Sequence, residues 1–293
     1  SEADMRSLVR HYRNHPSVIM WSIGNEMPDQ ATDQGVIIAR NLTAYCHDED
    51  PTRPTSLGCN KRDAVFRDIV NQVDIFGLNY FHKTYPVFKE QNPTRRYHAS
   101  ETSSATSSRG EYFFPVTTDV NDSRSGFQLS SYDMTTIGWG CAPEVQFKMN
   151  EEYSFMSGEF VWTGFDYLGE PTPYDTNCWP NHSSMFGIID LASIPKDRYY
   201  LYRSQWNTAD TTLHVLPHWN WKGREGEITP VFVYTNYPKA ELFINGRSQG
   251  VREKNNSTYY NRYRLIWMDT RYEPGELKVV AYDAAGNPVA EEI

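Results

Sequence analysis

Between about residues 16 and 207 the chain repeats one alternation. A short, nearly unbroken apolar run is followed by a segment whose apolar residues recur every three or four positions. The runs lie at 18–23, 55–58, 73–80, 97–100 and 159–165. Between them, Ile38, Leu42 and Tyr45 share one helical face, as do Val65 with Ile69 and Phe66 with Val70. Val145, Met149 and Tyr153 form another such set, and Tyr199, Tyr202 and Trp206 a further one. Residues 1–12 read as the tail of a helix, with Met5, Leu8, Val9 and Tyr12 at helical spacing. Strands apolar on both faces need cover on both faces, which intervening helices supply. The pattern therefore predicts an α/β protein of βα units around a parallel sheet. Five strands fit an open doubly wound sheet or part of an eight-stranded (β/α) barrel of about 250 residues. No G-x-G-x-x-G follows any of them, so the dinucleotide-binding version lacks support.

After Asn207 the pattern changes to short strands at 211–217, 228–235, 240–245, 259–268 and 276–283, with turns between them and no helical spacing. Ala240, Leu242 and Ile244 alternate with Glu241, Phe243 and Asn245, and Asn245-Gly246 is a two-residue hairpin signal. Residues 283–287 read as a longer hairpin loop. This composition predicts a small antiparallel, Ig-like β-sandwich. The expected domains are thus a barrel part over 1–208 and a sandwich over 209–293.

Charge and cysteine usage narrow the function classes. With 28 Lys+Arg against 37 Asp+Glu, the net charge of −9 opposes a nucleic-acid partner. No apolar stretch approaches the roughly 18–20 residues of a membrane helix, and no secretory signal is legible. Cys46, Cys59, Cys141 and Cys178 are scattered without a C-x-x-C pair, so neither a zinc site nor a disulfide framework is expected. No metal or cofactor is predicted. The Asn-x-Ser/Thr tripeptides at Asn41, Asn121, Asn181, Asn255 and Asn256 carry no argument by themselves.

Two carboxylates stand out by position. Glu26 follows the run at 18–23, and Glu101 follows the run at 97–100. In a parallel barrel, groups at the C-terminal ends of strands carry the chemistry. Two carboxyl groups about 5–5.5 Å apart can hydrolyse a glycoside with retention, one attacking the anomeric carbon and the other serving as acid and then base.

The segment Arg13-Asn14-His15-Pro16-Ser17-Val18-Ile19-Met20-Trp21-Ser22-Ile23-Gly24-Asn25-Glu26 resembles the acid/base segment of glycoside hydrolase family 2. Ser100-Glu101-Thr102 resembles the nucleophile segment of that family, and Gly158-Glu159-Phe160-Val161-Trp162-Thr163-Gly164-Phe165-Asp166-Tyr167 its last barrel strand. The 75 residues from Glu26 to Glu101 accommodate two further βα units, as the family requires. The resemblance implies a (β/α)8 TIM barrel, here incomplete and running from the fourth to the eighth strand, followed by an Ig-like domain. It further implies that Glu26 is the general acid/base and Glu101 the nucleophile. Asn25 would meet the sugar 2-hydroxyl, Tyr80 would orient Glu101, Trp162 would lie beneath the sugar, and Asp166 is a candidate hydroxyl contact. His82 and His98 are candidate sugar contacts that read equally well as structural histidines.

Family members acting on glucuronides carry an Asn-x-Lys element after the last strand. The comparable segment, Ser183-Ser184-Met185-Phe186-Gly187-Ile188-Ile189-Asp190, has neither residue. A sugar carboxylate without a cationic partner is poorly held. The stretch Phe165-Asp166-Tyr167-Leu168-Gly169-Glu170-Pro171-Thr172-Pro173-Tyr174, with Pro195-Lys196-Asp197-Arg198-Tyr199-Tyr200 further on, resembles the β-galactosidase branch of the family. This resemblance implies a neutral β-galactoside as substrate, with other β-glycosides, or a non-catalytic glycan-binding or structural role, as the alternatives. The family's leading sandwich, Ig-like domain and first three strands have no counterpart here. The expected partner is accordingly the missing N-terminal part of the same chain.

Overall fold

The computed structural model describes residues 1–118, 126–175 and 177–293. The tripeptide at Asn121 lies outside the described residues. The chain divides into two compact units, Ser1–Ser103 with Gln146–Val161, and Ser104–Val145 with Trp162–Ile293.

The first unit opens with α1 (Glu2–Tyr12), β1 (Trp21–Asn25), α2 (Asp33–Glu49) and β2 (Thr55–Cys59). Two 3-10 helices (Arg62–Phe66 and Asp68–Gln72), β3 (Ile75–Asn79), α3 (Tyr85–Gln91) and β4 (Arg96–Ser103) follow. The chain continues through a short antiparallel pair, β5 (Ala105–Thr106) and β6 (Thr135–Thr136), then α4 (Pro143–Glu152) and β7 (Met156–Trp162). The five long strands form one sheet in the order β1-β2-β3-β4-β7, with β1 to β4 parallel neighbours. All five expected strands are present, with bounds moved by a few residues.

Alternation sends Trp21, Ile23, Leu57, Phe76, Leu78, Tyr97 and Ala99 into a single core with Ala39, Cys46, Ile69, Val70 and Phe88 from the covering segments. Apolar area removed from water stabilises this face by about 25 cal/mol per Å². The spacing at Val65–Val70 predicted an α-helix, and the structure has two 3-10 helices instead. Arg67 adopts an extended conformation between them and breaks the run. Val65, Ile69 and Val70 are nevertheless buried against the sheet, so the segment still covers it. Helix α3 escapes the sequence pattern because its 7 residues bury only Tyr85 and Phe88.

The second unit contains α5 (Asp197–Trp206), β8 (Leu213–Leu216), β9 (Val231–Thr235), β10 (Lys239–Ile244), β11 (Arg247–Glu253), α6 (Tyr259–Tyr263), β12 (Arg264–Trp267), β13 (Leu277–Tyr282) and β14 (Pro288–Glu292). A four-stranded sheet, β11-β10-β13-β14, and a three-stranded sheet, β12-β9-β8, share a core of Val231, Val233, Ala240, Leu242, Leu265, Trp267, Val279 and Ala281. This is the expected sheet-on-sheet architecture. Asn245 (φ 49°) and Gly246 (φ 73°) make the β10–β11 turn in the left-handed region that such hairpins require. The expectation of an unbroken strand at 259–268 is corrected: Thr258 caps the Asn261 N–H and starts the helical turn α6 before β12 begins.

Segments 104–145 and 162–208 belong to the same unit as the sandwich, and buried polar contacts tie 104–145 to the sandwich and 162–208 to 104–145. The Tyr132 hydroxyl donates to the Pro230 carbonyl at 2.6 Å. Arg264, fully buried, pairs with Glu144 and donates to the Tyr132 carbonyl at 3.1 Å and the Tyr234 hydroxyl at 3.1 Å. Arg198, also buried, pairs with Asp133 at 2.5 Å and donates to the Ser107 hydroxyl at 3.1 Å.

Candidate active site

The C-terminal ends of β1 to β4 bring together Asn25, Glu26, Asn79, Tyr80, Ser100 and Glu101. Two breaks in register make this possible. From Ser22 to Asn25, β1 advances three residues while β2 advances two, from Ser56 to Gly58. From His98 to Glu101, β4 advances three while β3 advances two, from Gly77 to Asn79. One extra residue in a strand re-aims the side chains beyond it. Backbone at the strand ends is also unusual: Glu26 (φ 48°) and Tyr80 (φ 63°) both take the left-handed conformation. Non-glycine residues hold it at a cost of about 1 kcal/mol or more, and such residues gather at functional sites. Each is fixed by a backbone bond, from Glu26 N–H to the Gly58 carbonyl and from Tyr80 N–H to the Glu101 carbonyl, both 3.0 Å.

Hydrogen bonds converge on the two glutamates. The Tyr80 hydroxyl donates to Glu101 Oε1 at 2.6 Å. Asn79 Nδ2 donates to Glu26 Oε1 at 2.8 Å, to Glu101 Oε2 at 3.2 Å and to Asn25 Oδ1 at 2.9 Å. Asn25 Nδ2 reaches Glu101 Oε2 at 3.4 Å. One nitrogen at 2.8 Å from Glu26 and 3.2 Å from Glu101 holds those two oxygens within about 6 Å of each other. That is short of the roughly 6.5–9.5 Å of an inverting pair and compatible with the roughly 5–5.5 Å of a retaining one.

Glycines leave room for the cluster. A Cβ on Gly58 would stand 2.2 Å from Asn25 Oδ1, and one on Gly77 would stand 2.5 Å from Ser100 Oγ. Either would displace an amide or hydroxyl of the network.

The two candidate histidines are buried. His98 meets Ser56 Oγ at 2.6 Å and packs edge-on against Phe160, and burial pushes it down to about 4. His82 is buried and lowered for the same reason. On the same strand as Trp162, Glu159 accepts from Thr102 Oγ1 at 2.7 Å and Asn150 Nδ2 at 3.3 Å, and burial raises its carboxyl to about 7.

Trp162 and Asp166 fall in the second unit. Trp162 ends β7 and packs edge-on against Tyr167. Asp166 receives Lys196 Nζ at 2.7 Å and the Gly187 N–H at 2.7 Å. Burial raises the Asp166 carboxyl and lowers the Lys196 ammonium to about 8, while their contact opposes both shifts. Asp166 also lines a polar cavity of about 290 Å³ with Ser107, Ser108, Gln128, Asn181 and Ser184.

Asn79 and the glycine cradle were not singled out in the sequence, and Ser100 entered only as part of Ser100-Glu101-Thr102. Asn79 had one available signal, its place immediately before Tyr80 at a strand end. Among the described residues no group of three or more His, Cys, Asp or Glu side chains is arranged to hold a metal ion. Nor is any described helix long and apolar enough to cross a membrane.

Residues 2–175 match the family described as glycosyl hydrolases family 2, TIM barrel domain. The chain belongs to glycosyl hydrolase family 2. Its five-stranded sheet is therefore part of a TIM barrel. Residues 226–290 match a domain of unknown function, DUF4982. The chain is 36% identical to the beta-galactosidase BoGH2A of Bacteroides ovatus over 99% of its own length and 38% of that protein's. It is 29% identical to a putative beta-glucuronidase of Formosa agariphila, over 96% of this chain and 28% of that one. A beta-glycosidase from Bacteroides vulgatus superimposes with a TM-score of 0.80 at 32% identity, covering 99% of this chain and 38% of the other. The chain thus spans well under half the length of these relatives.

Proposed function

We propose that this chain carries the catalytic pair of a retaining glycosidase that removes a terminal β-linked neutral sugar, a β-galactoside first among them. The observation that carries the reading is the shared amide nitrogen of Asn79, which holds Glu26 and Glu101 at a spacing suited to retention.

A Glu101 oxygen attacks the anomeric carbon as its bond to the leaving oxygen breaks, and the Glu26 proton passes to that oxygen. A glycosyl ester on Glu101 and an ionised Glu26 result. Water then gives a proton to Glu26 and attacks the anomeric carbon, releasing Glu101 as a carboxylate. The Tyr80 hydroxyl favours the ionised nucleophile, since a donor to the charged form stabilises it. Asn25 meets the sugar 2-hydroxyl. Asp166, its carboxylate already taken up by Lys196 and Gly187, serves by holding those segments in place.

The galactoside preference rests on two supports: the absence of an Asn-x-Lys element in 183–190, and the likeness to BoGH2A. Relatives named as beta-glucuronidases define the competing outcome. Mass spectrometry after a 2-deoxy-2-fluoro-β-galactosyl fluoride should place the label on Glu101. Labelling of another residue sinks the assignment. Faster turnover of an aryl β-glucuronide than of the matching β-galactoside would replace the substrate and leave the mechanism standing.

A further inference from the structure

We propose that Asn79 is a positioning residue that couples the two glutamates through its single amide nitrogen. This rests on the retaining reading of Glu26 and Glu101. Asn79 is 1% exposed, and Ser100 Oγ donates to its Oδ1 at 2.5 Å. That bond fixes which way the amide faces and turns Nδ2 toward the carboxylates. An amide nitrogen has two hydrogens. Here it meets three oxygens, at 2.8 Å (Glu26), 2.9 Å (Asn25) and 3.2 Å (Glu101). Not all three can be served fully at once, and the more negative oxygen attracts the N–H more strongly.

The competition changes sense during the reaction. With Glu101 ionised and Glu26 carrying its proton, the N–H favours Glu101. Once Glu101 is an ester its charge is gone, and the same N–H turns to Glu26. There it favours the ionised form that must accept the proton from water. Asn79 thus transmits the state of the nucleophile to the acid/base without bearing charge itself. Titratable groups set near the pair include the Tyr80 phenol, the Cys59 thiol, which feels the Glu26 charge, and His98 farther back on β4. Burial holds Cys59 up at about 11 and His98 down at about 4, so both are neutral over the working range.

The test is Asn79→Ala in the full-length protein, with Ser100→Ala as a milder variant that frees the amide without removing it. Carboxyl carbons of 13C-labelled glutamate would be titrated by NMR, with Glu26→Gln and Glu101→Gln giving the assignments. Loss of a donor to two carboxylates should move both midpoints upward by about one pH unit in Asn79→Ala, and less in Ser100→Ala. Both limbs of the pH profile of kcat/KM should move the same way. With a dinitrophenyl glycoside, which needs no acid to leave, Asn79→Ala should accumulate the glycosyl-enzyme. Midpoints that stay in place while activity falls would overturn the inference and leave Asn79 a packing residue. Failure of the fluoro-sugar to label Glu101 would instead sink the glycosidase reading, and the titration would still decide the coupling.

Discussion

Carboxylates in the two units are held in opposite ways. In the second unit Asp133, Glu144 and Asp166 each face a buried cation, Arg198, Arg264 and Lys196 respectively. At the strand ends of the first unit, Glu26 and Glu101 accept from an amide and a phenol, which are neutral donors. Arg264 and Lys196 oppose the upward push that burial gives the Glu144 and Asp166 carboxyls. A neutral donor steadies a carboxylate while letting it gain a proton or become an ester. Cations pair with the groups that tie segments together, whereas an amide and a phenol donate to those proposed to change state in every turnover.

The sharpest break of this comparison is a pair of substitutions, one in each region. Glu101→Gln should lower turnover of an aryl glycoside by at least about a thousandfold while leaving the thermal melting temperature close to that of the parent. Arg264→Met should do the reverse. It strands Glu144 in the interior and should cost about 3–5 kcal/mol in urea unfolding, with little loss of turnover per folded molecule. Tyr80→Phe is a smaller change. Removing one hydrogen bond to a charged group, worth about 1.5–3 kcal/mol, should lower kcat/KM by roughly 10- to 100-fold. It should also move the acid limb of the pH profile to higher pH, because Glu101 loses a donor that favours its ionised form.

Glu159 gives the smallest and most diagnostic effect, being a carboxylate held by neutral donors outside the proposed chemistry. Burial raises it to about 7, so between its unfolded value and that pH the folded state holds more protons than the unfolded state. Stability must therefore fall as pH rises through this window. Because the residue keeps part of its surface open, the fall should amount to about 1 kcal/mol rather than the full value of the shift. Glu159→Gln should flatten it, as read from urea midpoints at pH 5 and pH 8. An unchanged slope would place the titration elsewhere.

Much of this molecule was legible in the sequence because it is written locally. Five apolar runs marked five strands, Asn245-Gly246 marked a hairpin, and Glu26 and Glu101 stood at the C-terminal ends of their runs. What escaped depends on partners distant in sequence. Asn79 matters through its pairing opposite Glu101, and Gly58 through its approach to Asn25, neither visible without the register. Arg264 and Arg198 read as ordinary charged residues, and only their burial against Glu144 and Asp133 marks them as internal ties. The helical turn at Tyr259–Tyr263 was hidden because its aromatic residues suit a strand equally well.

The two register breaks carry a lesson for anyone who would rebuild this barrel by design. An idealised strand with perfect alternation is the usual goal, and shortening β1 or β4 by one residue would achieve it. Because side chains swap faces at every step, that trimming would invert the residues beyond the cut. Asn25 and Glu101 would be turned away from each other in a protein whose core remained fully packed. The most regular version of this fold would be a well-behaved scaffold with its chemistry facing the wrong way.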